Sequence, residues 1–147
     1  MGQAGTQDEW DVAEAEGDPR LRVLLYSDHP EVREQVRLAV GRRAGRDLAP
    51  IEWVETATHA AVVDRVEAGG VDLVILDGEA GKSGGMGVCR QLKDEIFRCP
   101  PVLVLIARPQ DAWLASWSQA DGVLTRPLDP IVVQDKVAEM LRAAVGA

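Results

Sequence analysis

Residues 71–77 read Val-Asp-Leu-Val-Ile-Leu-Asp, an apolar run that ends on an acid. The same grammar occurs upstream, where residues 23–28 read Val-Leu-Leu-Tyr-Ser-Asp. Runs this short and this apolar read as strands buried on both faces of a parallel sheet. Such a sheet needs helical crossovers, and its ligands collect at the carboxyl ends of its strands. Two strands that end in carboxylates therefore point to one acidic pocket, and an acidic pocket suits a hard cation.

The rest of the chain alternates as that sheet requires. The patterning predicts strands over residues 21–27, 51–55, 72–76, 102–106 and 122–125. Helices are expected over 30 to about 42, 58–68, 86 to about 96, 110–118 and 130 to about 144. Gly69-Gly70 supplies a helix stop, and Asp129-Pro130 a helix start. Five strands alternating with five helices define an α/β fold, a doubly wound parallel sheet in one domain.

The 147 residues suffice for a proper core, and no apolar stretch approaches the length of a membrane span. No export signal is visible, so a cytoplasmic location is expected. Cys89 and Cys99 lie outside close metal-ligand spacing and read as free thiols. The net charge of −8 is uneven: residues 1–19 hold six acids and no Lys or Arg, leaving 18 acids against 16 bases elsewhere. A disordered acidic tail is expected there, followed by a near-neutral domain over residues 20–145. No basic stripe suggests direct contact with nucleic acid. The arginines at 42, 43 and 46 read as a solvated connection, or as a holder of the acidic tail in cis.

Four landmarks then resemble the receiver domains of bacterial two-component response regulators. Residues 23–30, Val-Leu-Leu-Tyr-Ser-Asp-His-Pro, resemble that family's first strand with its acidic pair. Residues 72–77 resemble its third strand, with Asp77 as phosphate acceptor. Gly85 falls where the family opens a helix, and residues 124–128, Leu-Thr-Arg-Pro-Leu, resemble its Lys-Pro turn. The resemblance implies a flavodoxin-like (βα)5 sheet of strand order 2-1-3-4-5. It implies a signalling module rather than an enzyme, with Mg²⁺ held by the side chains of Asp28 and Asp77 and the backbone carbonyl of Glu79. It implies a sensor kinase and a downstream effector as protein partners.

The chain departs from that pattern at Ser27, in place of the first acid, and at Ile106, in place of a Thr or Ser. Val123 replaces the switch aromatic, Arg126 the Lys, and Gly81 a Pro. Arg keeps the charge, but its rigid fork is not a compact ammonium. The expectation is an atypical, stand-alone response regulator with a weak Mg²⁺ site and weak or absent phosphorylation at Asp77. No output domain is expected after residue 145, so the message would pass through the face of helix 4, strand 5 and helix 5, which leaves a homodimer open.

Other readings stay open. A phosphate-independent adaptor on the same fold is one. A nucleotide hydrolase is remote, because Gly81-Lys-Ser83 lacks the first glycine of a phosphate loop, with Leu76 in its place. Asp28 could simply cap the first helix, Asp77 could be a turn residue, and Arg126 a plain ion-pair partner for Asp77. Trp113 and Trp117 share one helix face and read equally as core or as partner anchors. His29 and His59 are isolated, with His29 a pH-sensitive neighbour of the pocket.

Overall fold

Alternating side chains along each strand send apolar residues to both faces of the sheet, so helices must cover both. The computed structural model describes residues 20–80 and 84–146 and has this architecture. The strands are β1 (Leu21–Tyr26), β2 (Ile51–Thr56), β3 (Leu73–Asp77), β4 (Val102–Ile106) and β5 (Gly122–Thr125). The helices are α1 (Pro30–Val40), α2 (His59–Glu67), α3 (Gly84–Glu95), α4 (Ala112–Trp117) and α5 (Pro130–Gly146). All pairings are parallel, in the order β2-β1-β3-β4-β5. The acidic tail at residues 1–19 and the Gly81-Lys82-Ser83 triplet lie outside the described residues.

Two cores result, one on each face. Val23, Leu25, Leu73, Ile75, Leu103 and Leu105 pack with Val36 and Val40 of α1 and with Val133, Val137 and Leu141 of α5. Their strand neighbours Leu24, Tyr26, Val74, Leu76, Val104 and Ile106 pack with Val62 and Val66 of α2 and with Val88, Cys89 and Leu92 of α3. Every residue of β3 and β4 is buried. The alternation of adjacent residues between two apolar layers is why these strands read as unbroken apolar runs.

Boundaries moved where a side chain took up a backbone group. β3 starts at Leu73, because the Asp72 carboxylate accepts from the Arg22 amide at 2.8 Å. The strand then extends through Asp77, which pairs in register with Leu105. Thr58 caps α2 by accepting from the Ala61 amide at 3.2 Å. Gly69 and Gly70, at φ of +83 and +82, end that connection in the left-handed region. Asp129 caps α5 as expected, accepting from the amides of Ile131 and Val132 at 2.9 and 3.3 Å. A short 3₁₀ turn, Pro109–Asp111, precedes α4.

The thiols belong to the second core and its edge. Cys89 is fully buried and donates to the Ser118 carbonyl at 3.2 Å, and Cys99 is half-buried. Burial pushes the Cys89 thiol up to about 11, and burial also raises that of Cys99. At pH 8 a thiol near 11 is only about one part in a thousand thiolate. Native protein treated with iodoacetamide at pH 8 is expected to be alkylated at Cys99 well before Cys89, read by peptide mass mapping. Faster labelling of Cys89 would contradict this packing.

Candidate functional site

Parallel strands deliver all their carboxyl ends to one edge of the sheet, and the acids are found there. Asp77, the last residue of β3, is 1% exposed. Its backbone is closely overlaid by the start of α3: a β-carbon on Gly85 would lie 2.5 Å from the Asp77 carbonyl oxygen. A β-carbon on Gly78 would lie 2.6 Å from the Leu105 carbonyl oxygen. Glycine is required at both positions by close approach, not by backbone angle.

A buried carboxylate needs partners for its lone pairs and for its charge. Asp77 has three donors. The Ser27 hydroxyl donates to Oδ2 at 2.8 Å, the Glu79 amide donates to Oδ1 at 3.0 Å, and the Arg126 guanidinium pairs with Oδ1 through Nη2. Arg126 follows β5 directly, its amide donating to the Ile106 carbonyl at 2.9 Å, and the Arg126–Pro127 peptide is cis. Among the described residues its buried Nε has no hydrogen-bond partner, and the contact with Asp77 runs through Nη2.

Ser27 does more than its sequence reading implied. It was expected only as a missing acid. Its fully buried hydroxyl also accepts from the His29 amide at 3.1 Å, so it ties the start of α1 to the pocket. Asp28 does not cap that helix: His29 is the N-cap, and no side chain caps it. The Asp28 carboxylate is partly exposed, with His29 Nε2 at 3.5 Å. His29 Nδ1 in turn lies 3.7 Å from Glu31.

Asp28 and Asp77 nevertheless act on one electrostatic region. Burial first, then the charges of Asp28 and of Asp77, push the Tyr26 phenol above its ordinary range. Arg33 was missed by sequence reasoning. Its Nε donates to Glu55 at 2.9 Å and its Nη1 to the Ser27 carbonyl, so it braces the ends of β1 and β2. Its spacing from Arg37, one helical turn away, was visible in sequence. Their shared partner Glu55 was not, because it lies across the sheet.

The remaining positions are apolar or outward. Ile106 is fully buried in the second core, and Val123 is half-buried against it. Glu79 lies exposed in the turn after β3. Trp113 and Trp117 are 67% and 50% exposed, which removes the core reading for both rings. Arg90 lies 5.1 Å from the Trp117 ring centroid and donates to the Trp117 carbonyl at 2.7 Å. Beside β5, a shallow groove of about 540 Å³ is lined by Val123, Leu124, Val132, Asp135, Lys136 and Glu139.

Mg²⁺ demands near-octahedral oxygen ligation. Among the described residues no group of three or more His, Cys, Asp or Glu side chains could hold a metal ion. Both oxygens of Asp77 are already engaged, one by a guanidinium. The donor set fits Mg²⁺ poorly, with the solvent-accessible carboxylates near it limited, among the described residues, to exposed groups such as Asp28 and Glu79.

No protein-family model matches the chain. It is, however, 51% identical over 123 residues to an uncharacterized response regulatory protein of Mycobacterium tuberculosis, strain ATCC 25618 / H37Rv, covering 84% of this chain and 92% of the relative. The protein of that description in strain CDC 1551 / Oshkosh matches equally. The chain belongs to the response regulator family. Its fold agrees with solved receivers. A two-component response regulator from Clostridium difficile superposes with a TM-score of 0.69 at 17% identity, covering 84% of this chain and 97% of that one. The signal receiver domain of an HD domain-containing protein from Pseudomonas fluorescens Pf-5 gives 0.72 at 14% identity, covering 86% and 90%. The protein is thus a response regulator receiver in two-component signalling, and its fold is the flavodoxin-like sheet of that family.

Two measurements probe the receiver's pocket. Tyr26 is the only tyrosine in the chain, so alkaline titration at 295 nm reads it alone. Its folded midpoint lies above the unfolded value of about 10. Its contribution to stability is therefore complete below pH 10 and is lost as pH rises through the folded midpoint. Asp28→Asn and Asp77→Asn should each lower that midpoint; no change in either would separate the two acids. In urea unfolding, Arg126→Gln should cost about 1–3 kcal/mol, because it strands the buried Asp77 charge. Most of that loss should vanish in the Asp77→Asn background. Equal losses in both backgrounds would show that the pair is not coupled.

Proposed function

We propose that this response regulator is atypical: it signals by protein contact, and phosphorylation at Asp77 is weak or absent. One observation carries the reading. The acceptor carboxylate is already satisfied by Ser27, Glu79 and Arg126, within the protein itself. A nucleophilic attack from Asp77 would first have to displace a guanidinium and a hydroxyl. The developing charge on a transferred phosphoryl group would meet Arg126, but Ile106 offers it no hydroxyl.

The output reading follows from the same residues. The family's route from pocket to surface pairs a hydroxyl with a mobile aromatic, and here both positions are aliphatic. Ile106 is locked in the core, so the α4–β5–α5 face would be presented in one state. Trp113 and Trp117, with exposed Ile131 and Val132 of α5, give that face large apolar anchors. This supports a partner-binding role in the cytoplasm for a sensor kinase or a downstream effector, and the same surface would serve a homodimer. Among the described residues no helix is long and apolar enough to cross a membrane.

The test separates chemistry from contact. Acetyl phosphate with Mg²⁺ should leave the intact mass almost unchanged over an hour, and any added phosphate should disappear in Asp77→Asn. Rapid stoichiometric phosphorylation would reject the proposal. With a partner in hand, Trp113→Ala should weaken binding about tenfold or more, as for an interface anchor. Asp77→Asn should leave that affinity within about twofold. The reverse pattern would restore a phosphate-driven relay.

A further inference from the structure

The described fold begins at residue 20, and it begins in a recess. Arg20 and Arg22, at the start of β1, line about 410 Å³ there with Glu52 of β2 and with Gly70, which follows α2. The recess is the mouth of a longer trough. Adjacent strand residues alternate between faces, so Glu52, Val54 and Thr56 share one face of β2. That face looks toward α2, because Val54 and Thr56 pair in register with Leu24 and Tyr26, which pack on Val62 and Val66. Val54, Thr56, Ala61, Asp64, Arg65 and Ala68 line a second cavity of about 410 Å³ between β2 and α2. Glu52 and Val54 are two residues apart, as are Ala68 and Gly70, so the two cavities lie end to end.

The second cavity offers apolar and short side chains. Val54 and Ala61 are half-buried, and Ala68 is exposed. β2 is an edge strand, so among the described residues no further strand closes this flank. Charge does not select the occupant, since Glu52 and Asp64 stand along the same trough as Arg22 and Arg65. The Arg65 guanidinium donates to the Gly69 carbonyl at 3.0 Å. What selects the occupant is apolar surface, whose removal from water is favourable.

The chain itself supplies such a group at the right distance. Residues 2–19 contain two large apolar side chains, Trp10 and Val12. Thr56 lies four residues along β2 from Glu52, about 13 Å at 3.3 Å per residue. A flexible chain of ten residues, the separation of Trp10 from Arg20, has an r.m.s. reach of about 16–19 Å. Tethered binding is strongest where reach and span agree. We propose that the segment before residue 20 folds back in cis along this trough and seats Trp10 between Val54, Ala61 and Ala68. The tether makes one aromatic anchor sufficient, because it holds the indole at high local concentration beside the groove.

The test uses the full chain. With Trp53→Phe, Trp113→Phe and Trp117→Phe, Trp10 alone emits. Acrylamide should quench it about threefold less efficiently than in the same chain carrying Ala61→Glu and Ala68→Glu, which fill the groove with charge. The protection should survive 1 M NaCl, where the screening length is about 3 Å, and should not change on dilution. A second measurement needs none of the Phe substitutions. In the otherwise wild-type chain, Trp10→Ala should shift the amide resonances of Val54, Ala61, Arg65 and Ala68 and leave those of Asp77 and Trp113 in place. Equal quenching with and without the groove substitutions overturns the proposal, and so do unshifted groove resonances. Protection lost in 1 M NaCl overturns it, since ion pairs would then hold the segment. Protection that fades on dilution also overturns it, since the groove would then hold Trp10 of another copy.

Discussion

The pocket depends on one electrostatic requirement: a carboxylate with almost no solvent must find its counter-charge within the fold. Asp77 meets that need through Arg126, which sits two strands away and arrives only because β4 and β5 hold their register. The ion pair therefore joins the third strand to the turn after the fifth, over the end of β4. A pair of this kind is not an automatic source of stability, because desolvation of both ions opposes it. Its stronger consequence is specificity. Moving Arg126 away strands a buried charge, so that displacement is costly.

That cost bears on how a receiver switches. A switch needs two arrangements of similar energy, biased by a ligand with different affinity for each. Here the position that would grip a phosphoryl oxygen is Ile106, buried with Tyr26, Leu76 and Val88, and the aromatic that would follow it is Val123. Neither side chain can exchange hydrogen bonds between two states. Ser27 reinforces the single arrangement, since its hydroxyl links Asp77 to the first turn of α1. The Asp77 carboxylate is thus neutralised within the fold, and Trp113 and Trp117 stay exposed on α4.

How much of this was legible in the sequence varied with the range of the interaction. The strands followed from the apolar runs, because burial on both faces leaves a local signature, whereas their order came from the resemblance to receiver domains. Asp129 and Gly69-Gly70 marked helix ends through chemistry confined to a few residues. The contact between Arg126 and Asp77 was foreseen as an ion pair, helped by the resemblance that placed both at one edge. Failures came where a partner lay far along the chain. Ser27 looked like an absence, since its bond to Asp77 spans fifty positions. Arg33 carried no local signal, because Glu55 and the Ser27 carbonyl are brought beside it only by the fold. Asp28 reads as a pocket acid with a helix cap as the alternative, and the cap is excluded because β1 ends one residue early and His29 takes that place.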